Sequence, residues 1–600
     1  MKKSRWGALA AVTAAGALAL TGCTASGGGN ATNAAPTGGT VTMAIVNDLT
    51  SLNSNTPQGN LDTNGQYQYL TAGGFLYPDN SFNIVKDESF GTFEKTSDDP
   101  LTVKYTLNKD LKWSDGEPIT ADDMVLGWAI GSGYYDSATT DADGNVTSGT
   151  QYFQLAGSTA GLDSTSFPVV GDDNRSITLT YAKPYVDWDI LFGVGQGGLT
   201  TPAHVVAKKA GLASAADLTA LLKSLPHGDK SAPAAANDTL KKAADFVNTG
   251  YDITSFPTDK DLLVSSGPWV LSAWTPGQSL TFEHNPNYKG ALAPKIDKLV
   301  MRVIGDAAAQ VTALQNGEVD LVYPQASADT KKSLEAVSGA QVMTGDQVSY
   351  DHLDLNFGSE VFKDPTVREA FLLTIPRQQI LDAIVTPVNP DAKVLDSQLW
   401  LPSQSEYATT VAQNGSDKYD PSKLDANVAK AKELLAGKTP TVKILYNTKN
   451  PNRVDEFQAI QSSAAKAGFQ VVDGGDPKWS TLLSAGNYDA SLFGWISPGI
   501  GTAQIPQLFS TDGGGNYNKF TAANDDAIAT QTTLDKDKLT QLMLSIDKTA
   551  FTEGYGLPLF QAPGIYGVSS KLDGVKYMGN QTGPIWNNWE WSVKQSTNTK

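Results

Sequence analysis

Cysteine is almost absent from this chain: of 600 residues only Cys23 carries a thiol. No disulfide can form within the chain, so a folded exported protein of this size must rest on its hydrophobic cores, which its length permits. Histidine is nearly as scarce, with four scattered copies at His204, His227, His284 and His352. None has a cysteine or a second histidine at ligand spacing, so no metal site and no cofactor is expected. Basic runs are missing as well. At a net charge of −18 the chain repels phosphate backbones, which argues against nucleic acid as a partner and leaves solubility as the default role of the charge. Gly-x-Ser-x-Gly elbows, His-Glu-x-x-His helices and paired Cys and His at characteristic spacing are all absent. No catalytic residue is assigned, and an enzyme is not expected.

What is present begins with the first 39 residues. Residues 1–6 are basic, and residues 7–20 form an apolar run of signal-peptide length, too short and Ala-rich for a membrane span. The run ends in LTGC at 20–23, which resembles a bacterial lipobox, so residues 1–22 are expected to be removed and Cys23 to be lipidated. Acyl chains on Cys23 would hold the protein at the outer face of a membrane. Residues 24–39 are Gly, Ala, Thr, Ser and Asn with one Pro, a tether with nothing to bury.

From residue 40 onward the composition is globular, and the length suggests roughly three or four domains. A strand is expected at 41–46, a helix at 66–77 up to the glycine pair, and a hairpin at 94–107. Later, helix 425–435, strand 441–446, helix 454–467 and strand 469–472 alternate, which predicts a parallel sheet. A further amphipathic helix is expected at 534–551. Ala-rich helical pieces at 212–248 read as an elaboration of the first lobe. Residues 141–145 read as a hairpin turn, since no acid stands where a calcium loop would need one.

Two stretches are more specific. KWSDGEPITADDMV at 112–125 places an Asp115-Gly116 turn before Thr120, a natural N-cap, with Asp122 and Asp123 at the helix start. These acids are structural. The other stretch, GNYDASLFGWISP at 486–498, reads as a strand with Asp489, Ser491, Phe493 and Trp495 on one face. Gly494 near its end marks a close approach of another backbone. Trp495 then sits at the carboxyl end, the end that faces the ligand crevice in open α/β sheets.

The 112–125 stretch resembles the signature of the family 5 extracellular solute-binding proteins, the peptide-binding lipoproteins of ABC importers. Further resemblances follow in order: LTTPAHV at 199–205, SGPWV at 266–270, PGQS at 276–279, HNPNY at 284–288, LQNGEVD at 314–320, VREAF at 367–371 with Pro376 and Arg377, and 486–495. The resemblance implies an α/β, two-lobed periplasmic-binding-protein-like fold with a hinge and a small α/β domain inserted in lobe I. Carried onto this chain, lobe I would span 40–75, 187–305 and 556–600, the inserted domain 76–186, and lobe II 306–555. The implied protein is a monomer that captures an oligopeptide or other extended solute between its lobes. It would then present that solute to an ABC permease and ATPase.

By the same resemblance, Gly494, Trp495 and Ile496 would contact the ligand at the cleft strand. Asn516 and Tyr517 would lie at the cleft edge, and Phe560 would follow the hinge strand. The polar loop 47–55 would also face the cleft. One position departs from the pattern. Peptide binders of this family carry an Asp three residues after the cleft Trp, for the ligand's amino group, and here that residue is Pro498. Proline supplies neither charge nor donor. Asp489, Asp512 and Glu553 are the acids that could fill in, or the ligand presents no free amine there. Alternatives are therefore a same-fold binder of an oligosaccharide, metal chelate or modified peptide, or a non-transporting envelope lipoprotein.

Overall fold

The structure is a computed structural model that describes residues 38–140, 146–195, 197–497, 501–502 and 504–594. Cys23 and Pro498, and the 141–145 turn, lie outside the described residues. The strands that flank that turn, Thr139–Thr140 and Val146–Ser148, pair antiparallel.

A ten-stranded sheet runs through the whole molecule. Its order is Trp269–Thr275, Ser279–His284, Lys298–Val303, Thr40–Ile45, Leu321–Val322, Gly556–Ser569, Ala340–Leu355, Ala490–Ile496, Thr441–Tyr446 and Gln470–Asp473. Two long strands hold its halves together. Ala340–Leu355 and Gly556–Ser569 pair antiparallel from Ala340 opposite Ser569 to Asp354 opposite Gly556. At one end Val568 and Gly567 pair with Leu321–Val322, and at the other Ser349 to Leu355 pair with Ala490–Ile496. The register between the long strands slips between Asp346 and Tyr350, midway along the crossing. A bulge there bends the strand where the chain passes from one lobe to the other.

The outer part of the second half is parallel: Thr441–Tyr446 pairs in parallel with both Gln470–Asp473 and Ala490–Ile496. Helix Pro451–Ala465 supplies the crossover, as the alternation of helix and strand predicts. Both faces of this half are covered. Ala490, Ser491, Leu492 and Phe493 are all buried, Leu492 in the core with Leu353 and Ile444, Phe493 in a cluster with Tyr488 and Trp495.

A separate four-stranded antiparallel sheet, ordered Gly91–Asp98, Leu101–Leu107, Ser176–Thr180 and Val169–Val170, forms the small domain. Helix Ala121–Ser132 packs on it, and its start is built as the sequence predicts. Thr120 is the N-cap, its hydroxyl accepts from the Asp122 N–H, and Asp123 accepts from the Thr120 N–H at 2.8 Å. The second Asp123 oxygen accepts from the Ala203 N–H at 2.9 Å, which ties the domain to the following helix. Burial pushes the Asp123 carboxyl up to about 6.

Two segments fall differently from expectation. Helices Ala203–Ala210, Ala215–Ser224 and Asp238–Thr249, expected as an elaboration of the first lobe, join the core of the small domain through Val206, Leu222, Leu240 and Val247. Strand Leu321–Val322 lies between Thr40–Ile45 and Gly556–Ser569, so the chain is still in the first half of the sheet well past residue 306. Its flanking helices bury Leu314 and Leu334 against Ala44 and Ile565. The passage to the second half is made by Ala340–Leu355.

Candidate functional site

A cavity of about 940 Å³ lies between the two lobes. The polar loop after the first strand contributes Ser54 and Asn55, and helix Asp62–Thr71 contributes Asp62, Gln68 and Tyr69. The small domain adds Tyr181, and the segment that leaves it adds Tyr185, Asp187 and Ile190. From the other side come Val348, Ile496, Ser497, Gln504 and Gln507, and Asn580 and Gln581 close one end. Side-chain amides dominate the polar lining. Its two carboxylates are Asp62 and Asp187, and no Lys, Arg or His is among the described lining residues.

Asp62 is held by the Asn47 side chain at 3.0 Å, and it accepts from the Thr63 N–H. Asp187 spans the two sides: it accepts from the Thr502 N–H at 2.9 Å and from the Thr502 hydroxyl at 3.1 Å. Gly501, just before that donor, has φ +99°, and a Cβ there would come within 3.3 Å of Asp187. Glycine at 501 thus lets the carboxylate reach the backbone.

A second cavity of about 390 Å³ opens from the first at Ile496, Ser497, Gly501, Gln504 and Gln507, which line both. It lies wholly in the second lobe. Its walls are mainly large apolar and aromatic side chains, including Tyr350, Leu399, Trp400, Trp495, Leu508, Tyr517 and Met543.

Trp495 forms part of this chamber. Its ring lies parallel to His352 on one side, at 6.1 Å and 5°, and parallel to Tyr517, at 6.3 Å and 5°. Such offset-parallel contacts fix the indole in place. Ile496, the next residue, is 57% exposed and stands at the junction of cleft and chamber. Tyr517 also lines the chamber, whereas its neighbour Asn516 is occupied by the loop. The Asn516 amide donates to the Ser510 and Phe520 carbonyls, and its oxygen accepts from the Phe520 N–H.

Gly494 and Phe560 line neither cavity. Gly494 is opposite Asp351, and a Cβ there would stand 3.0 Å from Asp351 Oδ1 and 3.1 Å from Arg453 Nη2. The missing side chain makes room for a buried charge cluster. Arg453 Nη2 donates to Asp351 at 2.8 Å, Nη1 makes a close contact with the same carboxylate, and Nη1 donates to Glu456 at 3.0 Å. Burial pushes the Glu456 carboxyl up, against the pull of Arg453. Phe560 is 1% exposed and packs in the second lobe's core beside Leu353 and Leu559.

The acids expected to replace a missing amine anchor lie elsewhere. Asp489 accepts from the Ser359 hydroxyl and the Lys443 N–H, Asp512 is exposed in a turn, and Glu553 pairs with Arg368 at 3.6 Å. None of them lines either cavity. Sequence reasoning missed Asp187, the amides of 504 and 507, and Trp400. The sole local cue was composition: two glutamines and a Pro crowd into 504–507, and Trp400 precedes Leu401-Pro402.

Among the described residues, no helix is long and apolar enough to cross a membrane. Comparison with known proteins agrees with the two-lobed architecture. The solved structure of the periplasmic EDTA-binding protein EppA superposes with a TM-score of 0.73, at 22% identity, covering 93% of this chain and 97% of that one. In sequence, the oligopeptide-binding protein OppA of Mycobacterium tuberculosis is 25% identical over 510 residues, 82% of this chain and 75% of its own length. An uncharacterized lipoprotein of Mycobacterium tuberculosis is 25% identical over 558 residues, 91% of each chain. The family description "Bacterial extracellular solute-binding proteins, family 5 Middle" matches residues 88–517. With that match over most of its length, the chain belongs to the family 5 bacterial extracellular solute-binding proteins.

Proposed function

We propose that this protein is a lipid-anchored solute receptor that captures an oligopeptide between its lobes and hands it to an ABC import permease. Proteins of its family bind solutes and are not enzymes. The observation that carries the peptide reading is the lining of the interlobe cleft. Asn60 and Gln504 bring donor and acceptor groups to the cavity, Gln507 and Asn580 bring their amide N–H groups while their oxygens accept from the Gly514 and Thr582 N–H, and Gln68 donates to the Asn55 side chain beside them. A peptide backbone presents the same pair of groups at every residue, so an amide-lined cleft matches it without reading side chains.

Charge separates peptide from chelate. A polycarboxylate chelate carries several negative charges, and burying them calls for cationic partners. The described lining offers Asp62 and Asp187 and no cation. Those two carboxylates are where a ligand's ammonium would be met, in place of the position occupied by Pro498. Tyrosines at 69, 181 and 185 beside the amides also suit an oligosaccharide, which is the second reading.

The anchor rests on sequence: a basic start, an apolar run and Cys23 in LTGC, together with the likeness to a mycobacterial lipoprotein. Mass spectrometry of solute co-purified with the protein, followed by thermal shift against peptides, oligosaccharides and metal–EDTA, tests the reading. Peptides should raise the melting temperature. Stabilisation by sugars or chelates and by no peptide at millimolar concentration would overturn it.

A further inference from the structure

We infer that the interlobe cleft admits amines and neutral polar groups and rejects carboxylates. Its solute is then a cation or a neutral molecule: for a peptide, one closed at its C-terminus by an amide or a ring and free of Asp and Glu. The inference rests on the proposed function and deepens it, because it names which solutes of that class the same cleft accepts. Three kinds of group can hold an anion in such a cleft: cationic side chains, helix N-termini and neutral donors. No Lys, Arg or His is among the described lining residues of the cleft or of the chamber that opens from it. The undescribed residues next to that lining in sequence are Gln196, Pro498, Gly499, Ile500 and Ala503, none of them charged. Lys536 stands outside the lining, beside Asp189.

The helix starts on the cleft are taken. Helix Asp62–Thr71 opens with Asp62 in its first turn, and that carboxylate accepts from the Thr63 N–H at 2.8 Å, where an outside anion would sit. Helix Ile505–Phe509 begins at Gln504. Its Ile505 N–H donates to the Thr502 carbonyl at 3.0 Å, Pro506 has no N–H, and the Gln507 N–H donates to the Gln504 carbonyl at 2.9 Å. Thr582 precedes the 3₁₀ helix Gly583–Glu590, where the Thr582 N–H donates to the Asn580 side chain, the Gly583 N–H to the Asn580 carbonyl, and Pro584 again has none. What remains is neutral donors, among them the amides of Asn60, Gln504, Gln507 and Asn580. They share the cleft with the carboxylates of Asp62 and Asp187, the second of which is buried. Burial pushes the hydroxyl of neighbouring Tyr185 up, and the charges of Asp187 and Asp163 push the same way. A carboxylate entering here gives up hydration, gains no counter-charge and meets two like charges. An ammonium meets opposite charge instead. Repulsion sets this specificity as much as attraction does.

The test uses the full chain in detergent at pH 6. Calorimetry compares pentaalanine with its C-terminal amide, and then amides in which each position in turn is Asn or Asp. The amide should bind at least about tenfold tighter than the free acid, and Asn at least about tenfold tighter than Asp at one position or more. Both gaps should narrow as salt is raised. Asp62→Asn should shrink the amide-to-acid ratio. Gln504→Lys, which brings a cation to the lining, should take that ratio to one or below, and it serves alone if the first variant does not fold. Three tetrasaccharides repeat the comparison without any peptide: tetraglucosamine as the cation, its N-acetylated form as the neutral probe and tetragalacturonate as the anion. If no sugar binds, the peptide series decides. Peptides that bind equally well as acid or amide, and with Asp as with Asn, would overturn the charge rule and leave the peptide reading intact. No peptide bound, with tetraglucosamine bound and tetragalacturonate not, would support the charge rule and overturn the peptide reading. Tetragalacturonate bound as tightly as tetraglucosamine would overturn the charge rule, and binding in neither series would overturn both. An amide preference that neither variant alters would place the discrimination outside the cleft and overturn the charge rule as well.

Discussion

Single residues here carry charge into places where water does not follow. Burial pushes Asp547 from its ordinary 3.8 up to about 6, and hydrogen bonds from Asn414, Gln398 and Ser397 offset part of that rise. A carboxyl whose pKa is higher in the folded state keeps its proton where the unfolded chain has released it. Its stabilising contribution is complete below about pH 4 and is lost as pH rises through about 6. Relative to Asp547→Asn, the parent should lose about 3 kcal/mol between pH 4 and pH 7 in urea unfolding. A gap that stays constant over that range would mean an unperturbed carboxyl. Gly494 offers a second test, since a Cβ there would press on the Asp351–Arg453 pair at 3.0–3.1 Å. Gly494→Ala should cost about 1–3 kcal/mol in thermal or urea unfolding. It should leave solute affinity within about twofold, and a variant of full stability with weakened binding would return Gly494 to the ligand. This is where sequence reading runs out. Alternation placed Trp495 and Gly494 on opposite faces, but both faces of that strand are buried from Ala490 to Phe493 and both Gly494 and Ile496 are exposed at its end, so periodicity could not say which face meets the cleft. Phe560 shows the same limit: an aromatic after a hinge strand looks alike whether it faces a core or a ligand.

Elements whose cause is local were legible. The Thr120 capping box, the strand Thr441–Tyr446 and the helix Leu424–Leu435 each depend on neighbours in sequence, and the structure has them within a few residues of expectation. The crossing was not legible. Strand Leu321–Val322 owes its place to partners at 43 and at 567–568, hundreds of residues apart in part, and no local pattern encodes that pairing. The crossing strands also depend on a distant residue. Gly345 and Gly564 face each other in register, and the Tyr577 ring lies over both, so that a Cβ at 345 would meet it at 2.5 Å. The ring supplies the apolar cover that two glycines cannot. Gly564→Val would push Tyr577 off this pair and should lower stability by about 1–3 kcal/mol, measured by urea unfolding. An unchanged midpoint would show that the ring has room to move aside.

The whole molecule is organised so that its two lobes share one sheet yet face each other across a cleft, and closure then needs contacts away from the sheet. They converge on residues 185–189. Asp187 takes the Thr502 N–H and hydroxyl, the Val186 N–H donates to the Gln531 carbonyl at 2.8 Å, and Lys536 stands 3.8 Å from Asp189. All the partners belong to the second lobe, so this short segment ties the lobes together opposite the crossing strands. A ligand favours the closed arrangement only by its differential affinity for it, and protein–protein contacts that exist only when closed add to the same balance. Asp187→Ala removes the shared acceptor. Hydrogen bonds to a charged group contribute roughly 1.5–3 kcal/mol, so the closed fraction should fall at least about tenfold relative to open. Small-angle scattering of the solute-free protein should then report a larger radius of gyration, and dissociation of a bound solute should accelerate by at least that factor, because Asp187 also lines the cleft. Thr502→Val removes the hydroxyl and keeps the N–H, so its effect on both readouts should be smaller and of the same sign. Scattering curves that superpose for Asp187→Ala and the parent would mean that the Asp187–Thr502 contact does not hold the lobes together.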